Sequence, residues 1–371
     1  MVRYVWQRAN WPNFRLQNDM LLHPVGRTRF CQGRLLSKIH GLGMNLSQEA
    51  QAEILTEETI KTAAIEGQSL SRNSVRSSIA RRLGLPIVGL PSVERHVDGL
   101  VEMILDATAR YNEPLTAKRL KGWQAALFPT GFSGLRRIRT GTWRGPVPMQ
   151  VVSGPVGREK VHFEAPPADR IGEEITQFLS WWEASLDNTE GLLRAGIAHF
   201  RFITIHPFED GNGRIARALT DMALAQDERL STRFYSLSAQ IMAERDQYYK
   251  ILEQCQKGDD DITAWLLWFL GCLERAVKNS ETLISKVLAK ADFWQRHGQT
   301  PMNDRQRKVV NRLLDAGQGG FEGGLTTRKY VSIAKTSRAT AYREISDLVG
   351  KRVLMQNEGK GRNVSYDLVW A

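Results

Sequence analysis

A mainly α-helical fold is what the sequence predicts, and three observations carry the prediction. Apolar residues recur at helical spacing through most of the chain between Leu35 and Ala276. The one long stretch of different character, Thr130–Pro167, is rich in Gly, Pro, Thr and Val and predicts a strand hairpin with loops. The last fifth of the chain shifts in charge: Pro301–Ala371 holds thirteen Lys/Arg against seven Asp/Glu, six of the whole net charge of +11. A small separate basic domain is expected there.

In chain order, the first 35 residues are aromatic and proline-bearing (Trp6, Trp11, Pro12, Phe14, Pro24) and read as irregular or short-strand structure. A helical pattern covers Leu35 to about Leu83, broken at Gly41-Leu42-Gly43 and at Glu66-Gly67. Ser92–Tyr111 predicts a helix with Val93, Val97, Leu100, Val101 and Leu105 on one face. After the hairpin region, Ile171, Ile175, Phe178, Leu179 and Trp182 restore the period, which continues through Leu193, Ile197 and Phe200 to His206 and resumes at Ile215, Leu219 and Met222. Trp265, Trp268, Phe269, Cys272, Leu273 and Ala276 form an apolar helical stripe, read as core packing. Residues 281–300 read as a polar linker helix running out at His297-Gly-Gln-Thr-Pro301. Beyond it, Leu325–Lys335 and Ser337–Leu348 read as two helices with a tight turn, and Val353–Val369 as strand–turn–strand.

Composition bounds the classes open to the chain. Its 371 residues suit two or three units rather than one core. A hydrophobic fraction of 42% with 25% charged residues describes an ordinary globular protein. No apolar run approaches the roughly 18 to 20 residues of a membrane span, and Met1–Arg8 lacks the apolar core of a signal peptide, so the cytoplasm is the expected compartment and no membrane partner is expected. Cys31, Cys255 and Cys272 make neither a disulfide framework nor a Cys-x-x-Cys pair, and the seven histidines show no zinc-ligand spacing. The basic tail points to an anionic partner, with nucleic acid the expected one.

Chemistry concentrates in His206-Pro-Phe-Glu-Asp-Gly-Asn-Gly-Arg-Ile-Ala-Arg217. Gly211 and Gly213 let the backbone approach a ligand closely, and a helix starting behind them aims free N–H groups outward, as an anion site requires. Arg214 and Arg217 are three residues apart, on one helix face, and can fork neighbouring phosphates. Asp210 is a hard oxygen ligand suited to Mg²⁺ against those phosphates. His206 is a general base with an ordinary pKa near working pH.

Position by position, this segment resembles the Fic family motif His-x-Phe-x-Asp/Glu-Gly-Asn-Gly-Arg-x-x-Arg. The resemblance implies a Fic-type helical core with a β-hairpin flap, and a protein adenylyltransferase that moves AMP from ATP to Ser, Thr or Tyr hydroxyls. His206 would deprotonate the target hydroxyl and Asp210 would hold Mg²⁺. Gly211, Asn212 and Gly213 would bind the α-phosphate, with Arg214 and Arg217 on the β- and γ-phosphates. Arg139–Pro167 resembles the family's flap, which adds the target as a strand. Val151 and Val152 stand where the family has its clamping pair, though an aromatic followed by Ile is usual there. Ser238–Gly258 resembles the lining of the adenine pocket, with Tyr248, Tyr249 and Gln256 as candidates beside the bland alternative of core packing.

Thr62-Ala-Ala-Ile-Glu66-Gly67 fits the family's inhibitory pattern, in which a glutamate pairs with the second motif arginine, here Arg217. One turn apart on a helix, the Thr62 hydroxyl could steady the Glu66 carboxylate. In some relatives that glutamate also serves removal of AMP. The resemblance divides the chain into a small N-terminal domain (1–45), a Fic core (46–280) with an inhibitory helix at about 48–66 and the flap at about 139–167, a linker helix (281–300) and a winged helix-turn-helix (301–371). In the last, Arg338 and Arg343 on the recognition helix and Lys360 and Arg362 on the wing are the DNA-contact candidates, with Ser337, Thr340 and Tyr342 beside them. A homodimer is common among relatives. The competing reading is a DNA-binding regulator whose Fic core senses nucleotide with little turnover.

Overall fold

The computed structural model describes residues 3–40, 44–85, 94–154, 158, 160–358 and 364–370, the side chains of residues 44–46 and 283 excepted. Two compact units divide the chain, Met1–Ser280 and Glu281–Ala371. The first holds α1 (Asn18–His40), α2 (Met44–Ile65), α3 (Arg72–Leu83), α4 (Arg95–Ala109), α5 (Ala117–Leu127) and α6 (Ile171–Ala184). It continues with α7 (Gly191–Ile205), α8 (Asn212–Glu228), α9 (Leu237–Ala243), α10 (Arg245–Gln256) and the start of α11 (Thr263–His297). Between α5 and α6 lie two antiparallel hairpins: β1 (Phe132–Ser133) with β2 (Arg136–Arg137), and β3 (Gln150–Ser153) with β4 (Lys160–Glu164). The fold is mainly α, as the periodicity predicts.

α7 and α8 form the centre of this unit. Ala195–Ile205 of α7 and Arg214–Ala225 of α8 are buried without a break. A helix buried on every side can sit only inside the core. Apolar residues fill most of those positions; the polar exceptions, including His199, Arg214 and Arg217, are the ones that need partners.

One expectation fails at the N-terminus: residues read as irregular form α1 from Asn18 onward, with Pro24 inside it. Proline removes its own N–H and so one bond of the ladder. The buried face of α1 compensates with Leu21, Thr28, Cys31, Gln32, Leu35 and Ile39. Two of those positions are polar, so no apolar stripe marks the helix in the sequence. α5 also falls outside the periodic segments; Thr116 caps it by accepting from the Arg119 N–H at 3.1 Å. The expected break at 41–43 lies outside the described residues, whereas α2 does end before Glu66-Gly67, where Gly67 has φ 78°.

The N-terminal aromatics support the second hairpin. Tyr4, Trp6, Phe163 and Ala165 form one buried cluster, with Trp11, Met149 and Val151 packed against it. Trp6 donates its indole N–H to the Glu164 carbonyl at 2.8 Å.

The second unit contains the end of α11, then α12 (Asp304–Ala316), α13 (Thr327–Ala334), α14 (Arg338–Gly350) and the antiparallel pair β5 (Leu354–Gln356) and β6 (Tyr366–Leu368). Thr326 and Ser337 cap α13 and α14 by accepting from the N–H groups of Lys329 and Thr340. Lys335, at φ 50°, ends α13, and Ser337 two residues later starts α14, which makes the turn between them tight. Residues 281–300, expected as a linker, contribute the fully buried Phe293 to a core with Val309, Leu313, Tyr330 and Ile345. Arg338 and Arg343 are exposed on α14, while Lys360 and Arg362 lie outside the described residues.

Candidate active site

α7 stops at His206, whose φ of 50° turns the chain out of the helix while its N–H still bonds the Phe202 carbonyl at 3.0 Å. The imidazole Nδ1 lies 3.1 Å from the Ile203 carbonyl. A carbonyl can only accept, so Nδ1 carries the hydrogen and Nε2 is left as the basic nitrogen. Burial lowers the His206 pKa below its ordinary value, against the Ile203 hydrogen bond that raises it. Arg144 holds this turn from outside: its Nε donates to the His206 carbonyl at 2.8 Å and its N–H to the Pro207 carbonyl at 2.9 Å. Its Nη2 donates to the Pro166 carbonyl. Phe208 is fully buried, 4.9 Å from the Trp143 ring.

Between His206 and α8 the loop is stapled by Asn212. Its amide accepts from the Phe208 N–H at 3.0 Å and donates to the Phe208 carbonyl at 2.8 Å. The Asn212 side chain therefore shapes the loop instead of facing a phosphate. Gly211 has φ 90°, and a Cβ there would lie 3.0 Å from Phe128. The first N–H groups of α8 have no acceptor within the helix, the arrangement that suits a helix end to an anion. Asp210 beside them accepts from Ser133 and lies 3.6 Å from Arg214.

The end of α2 meets this turn. Glu66 pairs with Arg217 at 2.8 Å. The Thr62 hydroxyl accepts from Arg217 Nε at 2.6 Å, and the Thr62 carbonyl accepts from Nη2 at 3.0 Å. Thr62 thus grips the arginine directly, not the carboxylate as the helical spacing suggested. Burial disfavours the charge on Arg217, yet Glu66 raises its pKa above the ordinary value on balance. Glu66 also lies against the helix end: a Cβ on Gly213 would fall 2.2 Å from its Oε1. Arg214 takes a different direction, toward Gln68 at 3.2 Å and the face of Phe128 at 4.9 Å.

A cavity of about 780 Å³ opens onto the turn. It brings together His206, Asp210, Gly211, Asn212 and Gly213 with Glu66 from α2, Val151 and Val152 from β3, and Tyr248, Tyr249 and Gln256 from α10. Thr62, Arg214 and Arg217 are not among its lining residues. A bulge between Val151 and Val152 splits the valine pair: Val151 packs on the aromatic cluster below, and Val152 is 47% exposed. Tyr248 is buried, its hydroxyl 2.9 Å from His199 Nε2 and its ring 5.6 Å from Trp268. Tyr249 is 37% exposed at the opening.

Sequence reading missed several contributors. Arg245 Nε donates to the Ile65 carbonyl at 3.0 Å and ties α10 to the end of α2. His162 on β4 joins the hairpin to α10 through Glu253 at 2.7 Å and contacts Ser153 at 2.6 Å. His199 bridges Thr220 and Tyr248, fully buried, with a pKa pushed down to about 3 by burial. Only His199 left a trace in the sequence, as a polar residue inside an apolar helix.

The turn between two buried helices that opens onto this cavity, and the hairpin beside it, fall within the part of the chain that a known family matches: the Fic/DOC family matches residues 114–224. A domain of unknown function, DUF4172, matches residues 4–85. The chain is 24% identical over 248 residues to a protein adenylyltransferase Fic of Culex quinquefasciatus, covering 65% of this chain and 44% of that protein. It is 32% identical over 114 residues to one of Nematostella vectensis, covering 30% of this chain and 25% of that protein. The chain thus spans less than half the length of these curated relatives. In fold it is similar to a Fic family protein from Desulfovibrio desulfuricans G20, with a TM-score of 0.54 at 20% identity over 94% of this chain and 96% of that one. A Fic domain containing signaling protein from Bacteroides thetaiotaomicron matches with the same TM-score, 0.54, at 19% identity over 70% of this chain and 96% of that one.

Proposed function

We propose that the protein is a self-inhibited adenylyltransferase that moves AMP from Mg·ATP to the hydroxyl of a protein side chain. The observation that carries the reading is the Glu66–Arg217 pair, seated on the helix end that would otherwise receive phosphate. Once Glu66 is displaced, the N–H groups at the start of α8 take the α-phosphate, and Arg217 is released to bind the outer phosphates. His206 Nε2 accepts the proton of the target hydroxyl, whose oxygen attacks the α-phosphorus; the bond to the β-phosphate breaks, and pyrophosphate leaves. Positioning and charge neutralisation carry most of the acceleration.

Asp210, a carboxylate on the cavity wall beside the start of α8, fits Mg²⁺, which is commonly bound by one or two carboxylates together with substrate phosphates. Asp210 would hold it, and the ion would neutralise phosphate charge. The target would lie along the β3–β4 hairpin, with adenine toward Tyr249 and Gln256. Removal of AMP from modified targets would use the same Glu66.

In the second unit, α13, α14 and the β5–β6 hairpin follow the order of a winged helix-turn-helix, and the exposed Arg338, Tyr342 and Arg343 on α14 favour contact with DNA phosphate. One measurement tests the enzyme against the nucleotide-sensing regulator. Glu66→Gly protein incubated with Mg·ATP should gain mass equal to AMP on itself or on added protein, and Glu66→Gly/His206→Ala protein should gain none. Absence of labelling in both, with salt-dependent DNA binding retained, would establish the regulator.

A further inference from the structure

Between Pro114 and Arg158 the chain has eight Lys/Arg and no Asp or Glu, against a net charge of +11 for all 371 residues. Arg119 in this stretch is paired with Asp106, and Arg144 is buried. Arg136, Arg137 and Arg139 are exposed, and among the described residues none of their guanidinium groups forms an ion pair. All three follow the turn of the β1–β2 hairpin, where Gly134, at φ 57°, lets the chain reverse within two residues. The reversal leaves Leu135 wholly exposed at the tip. Phe132, 48% exposed, is the cross-strand partner of Arg137, so an aromatic ring and an unpaired cation share one face. The hairpin is fastened to the turn after His206. Ser133 donates to the Asp210 carboxylate, Arg136 Nη2 to the Glu209 carbonyl at 3.3 Å, and the Arg139 N–H to the Glu209 carboxylate at 3.1 Å. Glu209 and Asp210 both line the large cavity.

We propose that the β1–β2 hairpin is a docking surface for the protein target, and that it selects an acidic segment carrying an apolar side chain beside the hydroxyl to be modified. That the partner is the target rests on the adenylyltransferase reading; the surface itself rests on Leu135, Phe132 and the arginines. Three guanidinium groups without ion pairs favour carboxylates, which they can fork with paired N–H groups. The apolar pair selects among anionic partners. A phosphate backbone offers nothing to bury Leu135 against, whereas a protein segment offers carboxylates and an apolar contact together. The bonds to Glu209 and Asp210 place whatever binds the hairpin beside the cavity that holds His206. Docking there raises the effective concentration of the target hydroxyl at the turn and adds no group to the chemistry.

The test is fluorescence-anisotropy titration of the full Glu66→Gly chain, without nucleotide, with a short peptide in which Glu and Leu flank a central Thr. Its counterpart with Lys for Glu is a separate arm. The Glu peptide should bind roughly tenfold or more tightly than the Lys peptide, and its affinity should fall with salt. Arg137→Glu/Arg139→Glu should weaken the Glu peptide by roughly tenfold or more and turn the preference toward the Lys peptide. Leu135→Ser should weaken the Glu peptide by roughly threefold to tenfold and leave the salt dependence as it was. With Mg·ATP, the double variant should raise KM for the Glu peptide and leave kcat and the KM for ATP unchanged. Equal affinity for the two peptides, or Glu-peptide binding unchanged in the double variant, would overturn the proposal. So would a DNA duplex or a phosphatidylserine vesicle whose binding depends on Arg137 and Arg139 more strongly than that of the Glu peptide. Charge-selective binding by a protein that transfers no AMP would sink the reaction and leave the surface; AMP transfer with one KM for both peptides would do the reverse.

Discussion

Arg144 shows how a residue outside the motif can set the motif's geometry. Its guanidinium and N–H engage three carbonyls, those of His206, Pro207 and Pro166, and burial lowers its pKa. The His206 backbone adopts φ 50°, which a residue other than glycine holds only when its surroundings impose it. Arg144 supplies that constraint. Replacing it by Met in the Glu66→Gly background should therefore lower kcat by roughly 10–100-fold with ATP affinity within about twofold, because the base moves while the phosphate site stays. Arg144→Lys should recover part of kcat; an equal loss in kcat and ATP affinity would mean a general structural role instead. The sequence made His206, Asp210, Gly211 and Arg217 legible because their spacing is local and chemical. It hid Arg144 because 62 residues separate it from His206, and no periodicity links a loop arginine to a carbonyl. Asn212 is legible in the sequence as a site residue, but what it does there is not. Only the fold shows that both ends of its amide are bonded to Phe208.

At the scale of elements, the docking of α2 depends on a buried charged network as well as on Glu66. Glu58 on α2 accepts from the Ser236 hydroxyl at 2.7 Å and the Ser238 N–H at 3.0 Å, and the Ser238 hydroxyl also donates to it. Asp221 on α8 is 3% exposed, with Arg233 3.9 Å away. Burial first, and then the nearby Glu58 and Glu228, raise the Asp221 pKa well above its usual range, against Arg233 and Arg217, which lower it. A carboxyl that binds its proton more tightly when folded stabilises the fold fully below its unfolded pKa of about 3.9, and that contribution is lost as pH rises through the folded value. Asp221→Asn removes the dependence. The variant's Tm relative to wild type should increase as pH rises from about 4.5 to 8, with a slope of at most about 1.4 kcal/mol per unit in stability. A difference that stays constant across that range would rule out a raised Asp221. None of this is visible in the sequence, where Thr220-Asp221-Met222 reads as one more turn of an apolar helix. α1 is hidden for a related reason: Thr28 and Gln32 occupy buried positions that a hydrophobic pattern leaves blank.

The whole chain divides where composition alone does not place the division. The charge shift at Pro301 marks a basic domain, yet the compact unit begins at Glu281, because a polar helix surface does not reveal the single apolar residues on its other face. Phe293 is one of them, fully buried among Val309, Leu313, Tyr330 and Ile345. Trp294 packs against the same core and donates its indole N–H to Asn311 at 3.0 Å. Losing a buried Phe side chain from a core costs about 3–5 kcal/mol, a large share of the roughly 5–15 kcal/mol that holds a small domain together. A fragment of residues 281–371 should therefore unfold cooperatively in urea, whereas residues 301–371 should be largely unfolded or melt over a broad, shallow transition. Residues 1–280 should retain AMP transfer in the Glu66→Gly background, since every group assigned to the reaction lies before Ser280. Equal stability of the two C-terminal fragments would show that Phe293 adds nothing and return the boundary to Pro301. If residues 1–280 fold but lose activity, the catalytic core must draw on the second unit, and the chain could not be read as two separable parts.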